Sequence, residues 1–237
     1  MERQRIEQMQ MRLRSEALNQ RKEALDELAE FPPEVAVPIL EKLASERDFA
    51  LRRLAAMGLG NHRTDAAFHA LQQMVSQDQD ANVLAEAANS MFEFGEAAIP
   101  PLQQLFERSD HWLVRQTIIS LLIGTPYNEV LLAMVRQALE DNTETVRETG
   151  ILALNQILKS PLQPQALILL SELAQNADWR TRWRTATALH GCQDPQAKQL
   201  LAQAFLTAGQ IRQVASTRSS CSDKYRIIIL LQDRFHR

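Results

Sequence analysis

The stretch Asp48-Phe49-Ala50-Leu51-Arg52-Arg53-Leu54-Ala55-Ala56-Met57-Gly58-Leu59-Gly60 decides the fold. Asp48 has the chemistry of a helix N-cap, because its carboxylate can accept a hydrogen bond from an unpaired N–H of the first turn. Leu51, Ala55 and Leu59 recur every four residues, which lays one apolar stripe along a helix. The same grammar returns four times. It reads Asp80-x-x-Val83-x-x-x-Ala87-Ala88-x-x-Met91, then Asp110-x-x-Leu113-x-x-x-Thr117-Ile118-x-x-Leu121. It continues as Thr143-x-x-Val146-Arg147-x-x-Gly150-Ile151-x-Ala153-Leu154 and Asp178-x-x-Thr181-Arg182-x-x-Thr185-Ala186-x-Ala188-Leu189. The cap residues stand 32, 30, 33 and 35 positions apart. A supersecondary unit recurring at that period marks a solenoid.

A second amphipathic segment precedes each of these helices: residues 35–43, 66–75, 97–106, 130–139 and 166–174. Pairing Ala98-Ile99-Pro100-Pro101-Leu102 and its kin with the Asp-x-x-Val-Arg-x-x-Ala-Ala pattern resembles HEAT repeats over about residues 33–208. The resemblance implies an all-α, right-handed α–α superhelix, and the short links, none long or Gly/Ser-rich, point to a single domain over residues 1–237. Tandem motifs of this kind speak to fold and hardly at all to activity.

Outside the repeats, residues 3–30 read as one long charged helix, or two with a bend near Ser15. Residues 1–32 are expected to cap the first repeat, and Phe31-Pro32-Pro33 ends them, since a residue before proline avoids helical geometry. About five to six repeats follow, the sixth starting with a helix at 196–206. Residues 209–237 are expected to close the far end, with Ile227-Ile228-Ile229-Leu230-Leu231 as a plug or a contact helix.

Composition narrows the function. The chain has 45% hydrophobic and only 5% aromatic residues, with Ala and Leu at the apolar positions. Its net charge of −3 argues against a general nucleic-acid binder. Cys192 and Cys221 have no metal-ligand spacing, and no apolar run reaches the about 20 residues of a membrane span. These features point to a cytoplasmic protein with no metal and no bound cofactor. The seven glycines form no phosphate loop, and no serine sits in a nucleophile elbow. The HEAT-like di-iron hydroxylases use His-Glu dipeptides; His62, His69, His111, His190 and His236 are all followed by other residues, which excludes that activity.

The chemistry that remains lies on the second helices. If positions three, seven and eleven after the cap face the core, positions one, two, five, six and nine face outward. In the family these helices line the concave face. The outward set is Phe49, Arg53 and Met57; Asn82, Glu86 and Asn89; His111, Trp112, Arg115 and Gln116; Glu144 and Glu148; and Trp179, Arg180, Trp183 and Arg184. All three tryptophans fall in it. Trp and Arg dominate interface energies, so Phe49, Arg53, His111, Trp112, Arg115, Trp179, Arg180, Trp183 and Arg184 are the candidate partner-binding residues. A tryptophan early in a second helix has a structural alternative, packing against the neighbouring repeat.

Asp48, Arg52, Arg147, Asp178 and Arg182 match the family's motif positions, where arginines form a structural ladder to acidic groups of adjacent repeats. Repeat two departs from it with Leu84. Repeat three moves its arginine to Arg115, which frees that residue for the groove. The reading is thus a non-enzymatic scaffold or assembly factor holding a protein partner. An alternative comes from a resemblance of the Ala-Ile-Pro first helices to phycobilisome lyase-type repeats. That would imply a bilin or a phycobiliprotein as partner and a lyase-like activity, although no lyase-specific motif is present. Nucleic-acid binding along Arg180, Arg182, Arg184 and the basic tail ranks third, because Glu144 and Glu148 interrupt the basic stripe.

Overall fold

The repeating caps and stripes build helices throughout residues 2–205, which the computed structural model describes. Among these residues there is no strand. The helices are α1 (Glu2–Leu13), α2 (Leu18–Ala29), α3 (Pro33–Ala44), α4 (Phe49–Leu59), α5 (Asp65–Gln77), α6 (Ala81–Phe92), α7 (Ile99–Arg108) and α8 (Trp112–Leu122). They continue as α9 (Asn128–Leu139), α10 (Glu144–Ile157), α11 (Gln163–Leu173), α12 (Trp179–Leu189) and α13 (Pro195–Phe205). A single 3₁₀ turn, Gly95–Ala98, leads into α7. The C-terminal plug expected at 209–237, with Cys221, His236 and the Ile227–Leu231 run, lies outside the described residues.

The chain divides into two compact units, Met1–Leu121 and Leu122–Arg237. In the first unit the second helices α4 and α6 pack side by side, while α3, α5 and α7 pack in succession as the other layer. The opening segment forms two helices rather than one, broken around Ser15, and α1 packs on α2. Met9, Leu13, Ala24, Leu25 and Leu28 are buried there. Helix α2 then lies against α4, where Gly58 provides the room. A Cβ on Gly58 would stand 2.5 Å from Leu40 Cδ2 and 2.8 Å from Leu25 Cδ1. The absent side chain is therefore what lets three helices meet.

The second unit repeats the plan with α10 against α12 and α11 against α13. Val146, Gly150, Ile151, Leu154 and Ile157 bury the inner face of α10, and Gly150 stands where a Cβ would come 3.0 Å from Ala138 Cβ. Proline opens several helices where its missing N–H costs nothing: Pro33 in α3, Pro100 in α7 and Pro164 in α11. After α8 and α12 the chain reverses through Gly124 (φ 89°) and Gly191 (φ 79°), conformations that a side chain disfavours.

The caps confirm the grammar with one correction. Asp48 accepts from Ala50 N, Asp80 from Asn82 and Val83 N, and Asp178 from Arg180 and Thr181 N. Thr143 occupies its cap position without a side-chain bond. In the third repeat the cap is His111 and not Asp110. The His111 Nδ1 accepts from Leu113 N at 3.2 Å, and its carbonyl accepts the first helical bond from Arg115 N. The core stripe moves by one residue with it, to Val114, Ile118 and Leu122, all fully buried. Caps at 48, 80, 111, 143 and 178 are spaced more evenly than the sequence alone suggested.

Candidate partner-binding face

Four of the second helices, α6, α8, α10 and α12, are anchored before their outward residues are placed. Two positions ahead of the cap, a short polar side chain accepts the N–H of the cap residue itself. Asp78 does this for Asp80 at 2.9 Å, Ser109 for His111 at 3.3 Å, Asp141 for Thr143 at 2.7 Å and Asn176 for Asp178 at 2.9 Å. This Asx- or Ser-turn fixes the entry angle of the helix. Sequence reading missed it, although the Asp, Ser, Asp and Asn at constant offset are visible once the caps are aligned.

The motif arginines work differently from the ladder expected of them. Arg52 does reach an acid of the next repeat, with Nε 2.6 Å and Nη2 3.1 Å from the two oxygens of Asp78. Burial pushes the Asp78 carboxyl up, but the bonds from Arg52 and from the backbone N–H groups of Asp80 and Gln79 outweigh it and hold it below its usual range. The bond to Asp78 in turn raises Arg52 above its ordinary value. Arg52 Nη1 also donates to the carbonyls of Glu46 and Arg47. For Arg147 and Arg182 the expectation of acidic partners is corrected. Arg147 donates to the Asp141 carbonyl at 2.6 Å, and Arg182 to those of Asn176 and Ala177 at 2.8 and 2.9 Å. The residue standing where Arg147 would find its acid is Asn176, an amide without charge. These arginines lock their own links.

Arg115 is the second correction. With the cap at His111, it stands four residues after the cap, the position of Arg52, Arg147 and Arg182. Its guanidinium lies over the Phe106 ring, 4.8 Å from the centroid, and the residue is half-buried. It holds the register of the motif arginine and is not freed.

The outward set is otherwise where periodicity placed it, and no member is buried. Phe49 is 46% exposed, Met57 40%, Trp112 43%, Trp179 60% and Trp183 37%. These five make up most of the large apolar side chains exposed among the described residues. Phe49, Trp112 and Trp179 all occupy the first helical position of alternate second helices; Ala81 and Glu144 fill it in the others. His111 stacks on Trp112 with ring centroids 5.9 Å apart.

Charges on this face are partly spent on each other. Arg53 pairs with Glu86 at 2.9 Å within the first unit, and Arg184 with Glu148 at 3.0 Å within the second. Arg180 has a different environment: it lies 5.1 Å from the centre of the Trp179 ring. Clefts of about 480 and 560 Å³ open at the links of the first unit, and several of their polar groups, Arg52, Asp78, Asp80, Ser109 and His111, are already bonded within the links and caps. Among the described residues no cluster of His, Cys, Asp and Glu is arranged to hold a metal. No described helix is long and apolar enough to cross a membrane.

The family comparison agrees with this architecture. Residues 6–91 and 41–123 match the profile of the family described as HEAT repeats. No curated protein matches the chain. Among solved structures, the complex of CpcE and CpcF of phycocyanin lyase from Nostoc sp. PCC7120 aligns at 18% identity and a TM-score of 0.48. That alignment covers 97% of this chain and 94% of the other. An engineered protein aligns at 19% identity and a TM-score of 0.33, over 88% of this chain and 96% of its own.

Proposed function

Because the chain belongs to the HEAT-repeat family, we propose that it is a non-enzymatic scaffold that binds a protein partner through the exposed face of its second helices, with α12 as a principal contact. The observation carrying this reading is the pair Trp179 and Trp183, four residues apart and thus on one face of α12, exposed at 60% and 37%. The fully buried residues of that helix are Thr185, Ala186, Ala188 and Leu189, not the two tryptophans. Each tryptophan offers about 150–250 Å² of rigid apolar surface, the material of interface hot spots. A helical array presents such side chains preformed, so little ordering entropy is lost on association.

The test compares the parent with Trp179→Ala and Trp183→Ala in affinity capture from the source cell, followed by mass spectrometry and titration of the recovered partner. Truncating a hot-spot tryptophan is expected to cost at least ~2 kcal/mol of binding, about thirtyfold in affinity. Both variants should melt within a few degrees of the parent. Unchanged affinity would sink the reading, and a collapse of the melting temperature would return the tryptophans to a structural role. A visible absorbance band on mixing the parent with a free bilin would redirect it to pigment handling.

A further inference from the structure

From the charge pattern around the exposed tryptophans we infer that α12 recognises an acidic, apolar segment of another protein, with Arg180 receiving a carboxylate. This rests on the reading above that α12 carries a protein contact. Helix α12 presents Arg180, Arg182 and Arg184 in a chain whose net charge is −3. Two of the three are already engaged. Arg182 closes its own link through the carbonyls of Asn176 and Ala177. Arg184 pairs with Glu148.

Arg180 is the exception. It is exposed and its guanidinium lies over the Trp179 ring, 5.1 Å from the centroid. Among the described residues no carboxylate forms an ion pair with it. Partial desolvation pushes the Asp178 carboxyl up, but the N–H groups of Arg180 and Thr181 and the Thr181 hydroxyl, on which it spends its oxygens, hold it below the usual range, with the Arg180 charge adding least. An exposed guanidinium placed over an aromatic face keeps N–H donors available, and its fork can pair with a carboxylate on two bonds. It also sits in the first turn of a helix, where the aligned peptide dipoles favour an anion.

One carboxylate beside apolar side chains satisfies this surface, with the acid on Arg180 and the apolar groups on Trp179 and Trp183. A polyanion fits less well. Helix α10, packed beside α12 in the same unit, places exposed Glu144 and half-buried Glu148 on the outward face, and successive phosphates would meet them.

The experiment pans a random 16-residue peptide phage library against the full chain. Selected peptides are then labelled and titrated by fluorescence anisotropy. The expected result is enrichment of Asp or Glu next to Leu, Ile, Phe or Met. Replacing the selected acid by its amide should weaken binding about tenfold. In Arg180→Gln the acidic and amide peptides should bind alike, which isolates the pair as a double-mutant cycle. Arg180→Lys should restore part of the preference, and Trp183→Ala should weaken both peptides.

Enrichment of neutral or basic peptides, or none, overturns the inference, as does equal binding of an oligo-dT strand. Self-association abolished by Trp183→Ala also overturns it by making a second copy the occupant. Binding that needs Trp183 but ignores charge at Arg180 removes the acidic preference and leaves the scaffold reading standing. Binding indifferent to both tryptophans removes the two together.

Discussion

The two units fasten neighbouring repeats with different chemistry. Among the described residues of the first, opposite charges reach across one period: Arg14 to Glu46, Arg52 to Asp78, Arg53 to Glu86 and Arg63 to Glu93. In the second, side-chain amides do much of that work. Asn155 donates to the carbonyls of Ala188 and His190 at 2.7 and 3.3 Å, satisfying the end of α12 one repeat later. Gln156 donates to the Thr125 carbonyl and to Asn128 Oδ1, and accepts from Gly124 N. Arg184 pairs with Glu148 there as well. An ion pair weakens with salt and with protonation of its acid; an amide–carbonyl bond responds to neither. One fold period is therefore held by fastenings with different sensitivities.

The comparison is broken most severely at the glycine seam of the first unit. Gly58→Asp would place an unpaired carboxylate against Leu25 and Leu40, and it is expected to cost roughly 3–5 kcal/mol. Arg53→Ala removes a pair whose arginine is exposed, although Glu86 is half-buried, and is expected to cost about 1 kcal/mol. Denaturant melts of the two variants check the contrast, and equal midpoints would refute the packing argument.

Next in size is the loss of one fastening in each unit. Arg52→Ala leaves the nearly buried Asp78 carboxylate without its guanidinium and should cost about 2–3 kcal/mol. Asn155→Ala should cost about 1–2 kcal/mol, since it leaves carbonyls that water can partly reach. Hydrogen exchange on the full chain should show the first change in α4–α6 and the second in α10–α12.

Acid should separate the units further. His62 is buried at the link after α4, its Nε2 has no partner, and burial lowers its pKa. The unfolded chain then binds a proton that the fold refuses. Stability contributed here is complete above about 6.5 and falls as pH drops toward the depressed folded value. Asp78, depressed in the fold, contributes above its ordinary carboxylate value and is lost as pH falls through its lowered one. Exchange protection in α4–α6 should therefore decline from pH 7 to 5. His62→Leu should flatten that limb; an unchanged slope would show that another group titrates there.

The smallest expected effect is that of salt. Raising sodium chloride from 0.05 to 0.5 M should loosen the first unit by no more than about 1 kcal/mol, and the Asn155 and Gln156 contacts less. Equal loosening of both units would erase the distinction.

Much of this was legible in the residues themselves. Helix identity, period and outward faces follow from local periodicity, and Trp179, Trp183 and Met57 stand where it put them. The cap of α8 was misread because Asp110 is the better capping residue by type, and only the packing of Val114, Ile118 and Leu122 selects His111. That single step also misplaced Arg115. Pairs such as Arg53 with Glu86 were out of reach for a different reason. They depend on the lateral spacing of helices one period apart, which no single repeat encodes.

The arginines that bond to their own links have a consequence for how such a chain can change over time. Arg147 and Arg182 complete their turns with carbonyls a few residues upstream, so each of these closures travels whole with its segment. A tandem duplication or an in-register deletion would copy or remove the lock together with what it locks. Arg52 lacks that independence, because its strongest bonds are to Asp78 in the following repeat. Growth or shortening by recombination is thus least disruptive where closure is self-contained, and the cross-repeat ion pair marks a junction that must be inherited as a pair.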